Sequence, residues 1–199
     1  MVPDPSNHDA NRTTSAGNGS ERHGSSTGND LERRVSRPET ESSYGIPEDE
    51  AGTLPWSFVT DRLALDELFW VATTGPDGRP HARPVWGVWL DGTFHCGGGD
   101  GARWVRNLER NRSLAVHTED AESVVIIEGK AEKLTAAETA QSRLQRIDDA
   151  YESKYGVRHG TPVFAVRPTT VLAWSDYPTD ATRWRFSERP ADENSAGNE

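Results

Sequence analysis

The chain has 199 residues and a formal net charge of −10, enough length for one domain with tails. Lys130, Lys133 and Lys154 are the only lysines, and Arg supplies the other side-chain cations; this balance excludes a general nucleic-acid binder, whose basic face must displace counterions. Cys96 is the only cysteine, which excludes an intrachain disulfide and a cysteine-based metal cluster and suits a reducing cytoplasm.

Residues 1–53 contain a single aromatic, Tyr44, and only Val2, Leu31, Val35 and Ile46 among Val, Leu and Ile. Such a stretch buries too little apolar surface to offset a backbone ordering cost of roughly 1–2 kcal/mol per residue. It reads as a disordered N-terminal tail, and 188–199 reads as a C-terminal one. Residues 54–187 carry the folded domain. No apolar run approaches the roughly 20 residues of a membrane-spanning helix, so a cytoplasmic protein without membrane association is expected.

Thr60 to Leu68 has its apolar residues at Leu63, Leu65 and Leu68 and reads as a short helix capped by Thr60. Phe69 to Thr74 is a strand. Pro76 to Gly78 is a turn, because proline pre-sets φ and glycine accepts φ > 0. His81 to Leu90 resumes as one strand, Asp91 and Gly92 form a hairpin turn, and Thr93 to Cys96 is the next strand. Gly97 to Gly101 is a flexible loop. Arg103 to Arg110 is a helix with Trp104, Val105 and Leu108 on its apolar stripe.

Ser113 to Thr118 is a short strand, and Ser123 to Leu134 the longest, with Gly129 marking a bulge or a close approach. Thr135 opens a helix to about Tyr155, with Glu138 completing a capping box. Pro162 to Arg167 and Thr170 to Trp174 are two strands around Pro168, and Thr182 to Ser187 is a last one. These elements specify an α+β fold: a six- to seven-stranded antiparallel barrel, closed, with two or three helices.

The chemistry concentrates between Phe69 and Asn111. Alternation puts His81, Arg83, Val85, Gly87 and Trp89 on one face of their strand. Arg83 suits phosphate, because its planar fork makes two parallel charged hydrogen bonds, and Gly87 lets a flat ring approach the backbone. The glycine loop runs into a helix start, where free N–H groups favour an anion. Arg103 at that start is unfavourable for the helix itself. Either a bound phosphate or a nearby carboxylate, Asp100 or Glu109, compensates it. The loop matches neither the P-loop nor the dinucleotide fingerprint.

His95 and Cys96 point to opposite faces of a strand and cannot form a nucleophile–base pair. The histidines have no metal-ligand spacing, and no Ser-His-Asp or paired-acid arrangement is present. No protein side chain is assigned as catalytic, and no residue as a metal ligand. The chemistry therefore comes from a bound cofactor that the protein positions.

Trp70 to Thr73, Asp77 to His81, Arg83 to Trp86, Asp91 to Phe94, Arg103 to Leu108 and Val125 to Glu132 occur in an order that resembles the pyridoxamine 5′-phosphate oxidase-like family. These are the FMN- and F420-binding split-barrel proteins. Ala181 to Phe186 is similar to a C-terminal motif of the deazaflavin-associated branch. The resemblance covers roughly 54–187. It implies an FMN-binding split β-barrel, a homodimer with the cofactor at the interface, and a flavin (FMN) or deazaflavin (F420) dependent oxidoreductase. Such an enzyme passes hydride to a small unsaturated or quinone-like acceptor. The alternative is a non-catalytic carrier or sensor of the same fold.

By position, the resemblance places Arg83, Pro84, Val85, Trp86, Gly87 and Val88 along the cofactor. His95 and Cys96 fall beside it at the end of the third strand. Arg103 matches the first cation of an Arg-Lys pair that grips phosphate; Trp104 replaces the second, as in the deazaflavin-associated branch, and Asn107 lies on the same helix. Trp174 and Trp184 approach the ring from the partner subunit. Val124 stands about where the oxidase proper has a Gln, and the Arg/His signature of vitamin B6 substrate binding is not evident near the C-terminus.

Overall fold

The computed structural model describes residues 33–187. Nine strands and three α-helices succeed one another as β1 (Arg33–Ser36), α1 (Trp56–Leu65), β2 (Phe69–Thr74), β3 (Pro80–Val85), β4 (Gly87–Leu90), β5 (Thr93–Gly97), α2 (Arg103–Arg110), β6 (Ser113–Thr118), β7 (Val124–Leu134), α3 (Gln141–Tyr155), β8 (Val163–Trp174) and β9 (Thr182–Phe186). All pairings are antiparallel, as the turns between them require.

The sheet runs β1-β9-β8-β7-β6-β2-β3, with β5 joining the other half of β8 and carrying β4. It is not closed by hydrogen bonds. The expected single strand over 81–90 breaks at Trp86: β3 pairs with β2, while β4 crosses to pair with β5. At Trp86 only the chain joins β3 to β4, while the β4–β5 hairpin is held to the rest of the sheet by the β5–β8 ladder.

Phe69 and Val71 of β2 point inward by alternation. They meet Phe94, Val105, Ile127, Val171 and Trp184 in the main core. Burying each such side chain contributes about 1.5–3 kcal/mol. A second core, with Val88, Leu134, Leu144, Ile147, Tyr151 and Val163, lies under α3. Phe69 and Phe94 meet edge to face at 4.9 Å. That contact needs Gly87, because a Cβ there would lie 2.1 Å from the Phe94 ring.

Several sequence expectations shift. The tail boundary is one: Arg33–Ser36 pairs with β9, and Arg37 is buried, donating to the carbonyls of Asp49, Ala51, Thr179 and Ala181. The segment after β1 is thus held by backbone-directed hydrogen bonds rather than by an apolar face. The rest of both expected tails, 1–32 and 188–199, lies outside the described residues.

Helix α1 begins at Trp56, after Pro55, and not at a Thr60 cap; Thr60 instead bonds back to the Ser57 carbonyl at 3.0 Å. The expected capping box is an isolated turn. Thr135 does meet Glu138 at 3.3 Å, but Ala140 is non-helical, with ψ 131°, and α3 starts after it. The helix ends at Gly156 with φ 74°, a left-handed cap.

The two expected strands around Pro168 are one. Proline offers no N–H, and the ladder absorbs the gap with a register shift at Glu128/Gly129. Gly129 lies so close to the Arg167 carbonyl that a Cβ would meet its oxygen at 2.2 Å. Among the described residues no helix is long and apolar enough to cross a membrane.

Candidate functional site

A cleft of about 400 Å³ opens between β3, the end of β5 and the start of α2. His81, Arg83, Pro84 and Val85 form one wall; Gly97, Ala102, Arg103 and Trp104 form the other. The local sequence explains the placement. His81 and Arg83 are two apart on a strand and share a face. The glycine loop turns the chain from β5 into α2, so Arg103 occupies the helix start beside it.

Trp104 is 5% exposed and packs edge to face on Phe164 at 5.2 Å. Its indole lies against Gly98, where a Cβ would come within 2.3 Å of the ring. Gly98 is therefore the residue that lets the indole seat. The helix is fastened from below by buried Asn107, which donates to the Thr73 hydroxyl of β2 at 3.0 Å.

The electrostatics of the cleft are one-sided. No carboxylate lines it, although the chain carries net charge −10. Within the described residues neither Arg83 nor Arg103 makes an ion pair or a hydrogen bond. Asp100 and Glu109, the two carboxylates nearest Arg103 in sequence, pair with Lys133 at 2.7 and 3.9 Å. Arg106 donates to the Gly101 carbonyl at 2.9 Å. His81 titrates below its ordinary value through partial desolvation, then the nearby charges of Arg103 and Arg83. The cleft thus carries two guanidiniums, one on β3 and one at the start of α2, with no carboxylate on its walls, a charge balance that favours an anionic group.

Of the thirteen residues singled out from sequence, the structure brings Arg83, Pro84, Val85, Arg103 and Trp104 together around this cleft. The others stand elsewhere. Gly87 lies against the Phe94 ring. Val88 belongs to the core under α3. Trp86 is 48% exposed and stacks on Tyr155 at 4.8 Å with planes 6° apart. His95 and Cys96 are buried, not beside the cleft: alternation sends Cys96 into the main core and His95 to the other face of β5. Burial pushes the Cys96 thiol up to about 12, which leaves it protonated and inert.

Trp184 is 1% exposed and packs edge to face on Trp56 at 5.3 Å, inside its own subunit. Trp174 ends β8, donating its Nε1 hydrogen to the Ala121 carbonyl at 3.1 Å. Asn107 serves the helix-to-strand tie. His81 was missed as a site residue, and its signal was present: it shares the face assigned to Arg83.

A second polar cluster holds α3 against β4. The Tyr155 hydroxyl accepts from the Gly87 N–H at 2.9 Å, and Lys154 donates to the carbonyls of Leu63 and Gly87 at 2.8 and 3.1 Å. Burial lowers the Lys154 amine to about 8. Tyr155 also bonds to the carbonyls of Glu67 and Gly87, and Lys154 sits over the Phe69 ring at 4.8 Å; the hydrogen bonds of both residues go to backbone groups, so the cluster is architectural.

The family model described as pyridoxamine 5′-phosphate oxidase matches residues 58–175. No curated protein matches the chain. Among solved structures, a conserved hypothetical protein from Mycobacterium tuberculosis is 21% identical, with 62% of this chain and 87% of that chain covered and a TM-score of 0.52. A heme binding protein from Mycobacterium smegmatis is 20% identical, with 65% and 58% covered and a TM-score of 0.51. At these identities the likeness is one of fold.

Proposed function

Because the chain belongs to the pyridoxamine 5′-phosphate oxidase family, we propose that it binds FMN or the deazaflavin F420 in the cleft between β3 and α2. We further propose that it is an oxidoreductase acting on a small unsaturated or quinone-like acceptor. One observation carries the reading: Arg83 and Arg103 face a single cleft with no protein carboxylate on its walls. Net charge −10 makes this local reversal of sign distinctive.

The residues present fit such a group. Arg83 and Arg103 suit its phosphate, since guanidinium forks make charge-assisted bonds worth about 1.5–3 kcal/mol each. Trp104 provides a flat, apolar wall, fixed by Phe164 and Gly98. When bound, the flavin or deazaflavin supplies hydride-transfer chemistry. The protein's own part is to bind, orient and exclude water. Besides the two arginines, His81 is the only ionisable side chain on the walls.

The same reading extends to a cytoplasmic homodimer with the cofactor at its interface. Trp86 supports it, being half exposed yet held rigidly flat on Tyr155, a form suited to contact with a second copy. A non-catalytic carrier or sensor is the second reading, favoured by the lack of any acid or base on the walls other than His81.

The test is an absorbance spectrum of protein purified from its native host. A band at about 450 nm is expected for a flavin and one at about 420 nm for a deazaflavin; the absence of both bands would contradict the proposal. Turnover of a quinone panel with reduced cofactor then distinguishes enzyme from carrier.

A further inference from the structure

We propose that His81 is the third cation of this site, taking up a proton as a phosphomonoester dianion docks between Arg83 and Arg103. The inference rests on the reading that the cleft receives a phosphate-bearing ligand, and it narrows that ligand to one with a terminal, doubly ionised phosphate.

Geometry comes first. His81 and Arg83 project from the same face of β3, and both line the cleft that Arg103 enters from α2. The charged groups around the imidazole are few. Arg83 lies on its own strand and Arg103 on the helix opposite. On β2 the partner is Thr73, whose hydroxyl sits 3.4 Å from the His81 carbonyl. In the β2–β3 turn, Asp77 is engaged by Arg79 at 3.3 Å. Among the described residues no carboxylate forms an ion pair with His81.

In the free protein desolvation opposes protonation of the imidazole, and the charges of Arg103 and Arg83 add to it. A dianion between the guanidiniums reverses the balance. The nearest charges then favour imidazolium, which gains a charge-assisted hydrogen bond. A group whose titration point is lowered when free and raised when bound takes up a proton on binding at any pH between the two. A phosphodiester carries one charge and draws this response more weakly than a phosphomonoester, whose second ionisation lies at about 6.

The experiment follows the His81 ring resonances by NMR through a pH titration of the full chain. It is run free, with FMN, with riboflavin and with inorganic phosphate. The midpoint is expected to rise by about one pH unit or more with FMN and with phosphate, and to stay in place with riboflavin. Calorimetry of FMN binding at pH 7 in two buffers of different ionisation enthalpy should show net proton uptake. His81→Gln should abolish that uptake and weaken FMN severalfold.

FMN binding with no proton uptake and an unmoved His81 overturns the inference and leaves the cofactor reading standing. A His81 shift with phosphate but no FMN binding supports the anion site and overturns the flavin reading. No shift with either ligand overturns the inference, whatever the cofactor.

Discussion

Lys133 donates to Asp100 at 2.7 Å and approaches Glu109 at 3.9 Å, so one amine engages a carboxylate just before α2 and another within it. Lys133→Met should free these carboxylates to compete for Arg103 and weaken cofactor binding severalfold, more at low salt than at high. Fluorescence titration at two ionic strengths checks it. Equal affinity in wild type and variant, at both salts, would mean the pairing has no bearing on the site.

Gly98 and Trp104 make a separate prediction. A Cβ at position 98 would meet the indole at 2.3 Å, and Phe164 blocks its retreat. Gly98→Ala should cost about 1–3 kcal/mol of stability and impair cofactor binding together with it. Thermal melts and a binding titration measure the two effects. A variant as stable and as competent as wild type would show that the indole moves freely.

His95 makes stability depend on pH. The ring is buried and its Nδ1 has no hydrogen-bond partner. Burial, with the Arg143 charge second, lowers it to about 4 from 6.5. The unfolded chain therefore binds the proton more readily between those values. The contribution is fully present above pH 6.5 and is lost as pH falls toward 4. It amounts to about 3 kcal/mol, a large share of a typical domain's stability of about 5–15 kcal/mol. Denaturant midpoints from pH 7 to pH 4.5 should fall more steeply in wild type than in His95→Leu; parallel slopes would exclude His95 as the cause.

Cys96 should be silent. Its thiol is fully buried in the main core and held up to about 12. A thiol reagent at pH 8 should label the native protein only as slowly as it unfolds, and label the denatured chain at once. Rapid native labelling would place the thiol at an accessible surface.

Much of the fold was legible because its signals are local. Phe69 to Thr74 alternates, Asp91 and Gly92 make a turn, and the stripe of α2 recurs at helical spacing. Gly129 marked the bulge that was found. What was illegible depends on distant partners. Arg37 orders the segment after β1 through carbonyls more than a hundred residues away as well as near ones, and composition cannot register such bonds. Pro168 looked like a strand end because the glycine that accommodates it lies on β7.

The site was legible by residue type and less so by direction. Arg83 and Arg103 were identified as cations, and the fold places both on one cleft. Trp184 was read as an outward aromatic, whereas the alternation of β9 sends it inward between Arg183 and Arg185. His81 was set aside as a poor metal ligand, although its parity on the strand already put it beside Arg83.

The central claim is that Arg83 and Arg103 hold the phosphate of a flavin or deazaflavin. Its most direct test is a titration of FMN and F420 against wild type, Arg83→Ala, Arg103→Ala and the double variant. One cofactor should bind wild type, and each single variant should lose about 1.5–3 kcal/mol, roughly 10- to 150-fold in affinity. A double variant that binds as tightly as wild type would contradict the account.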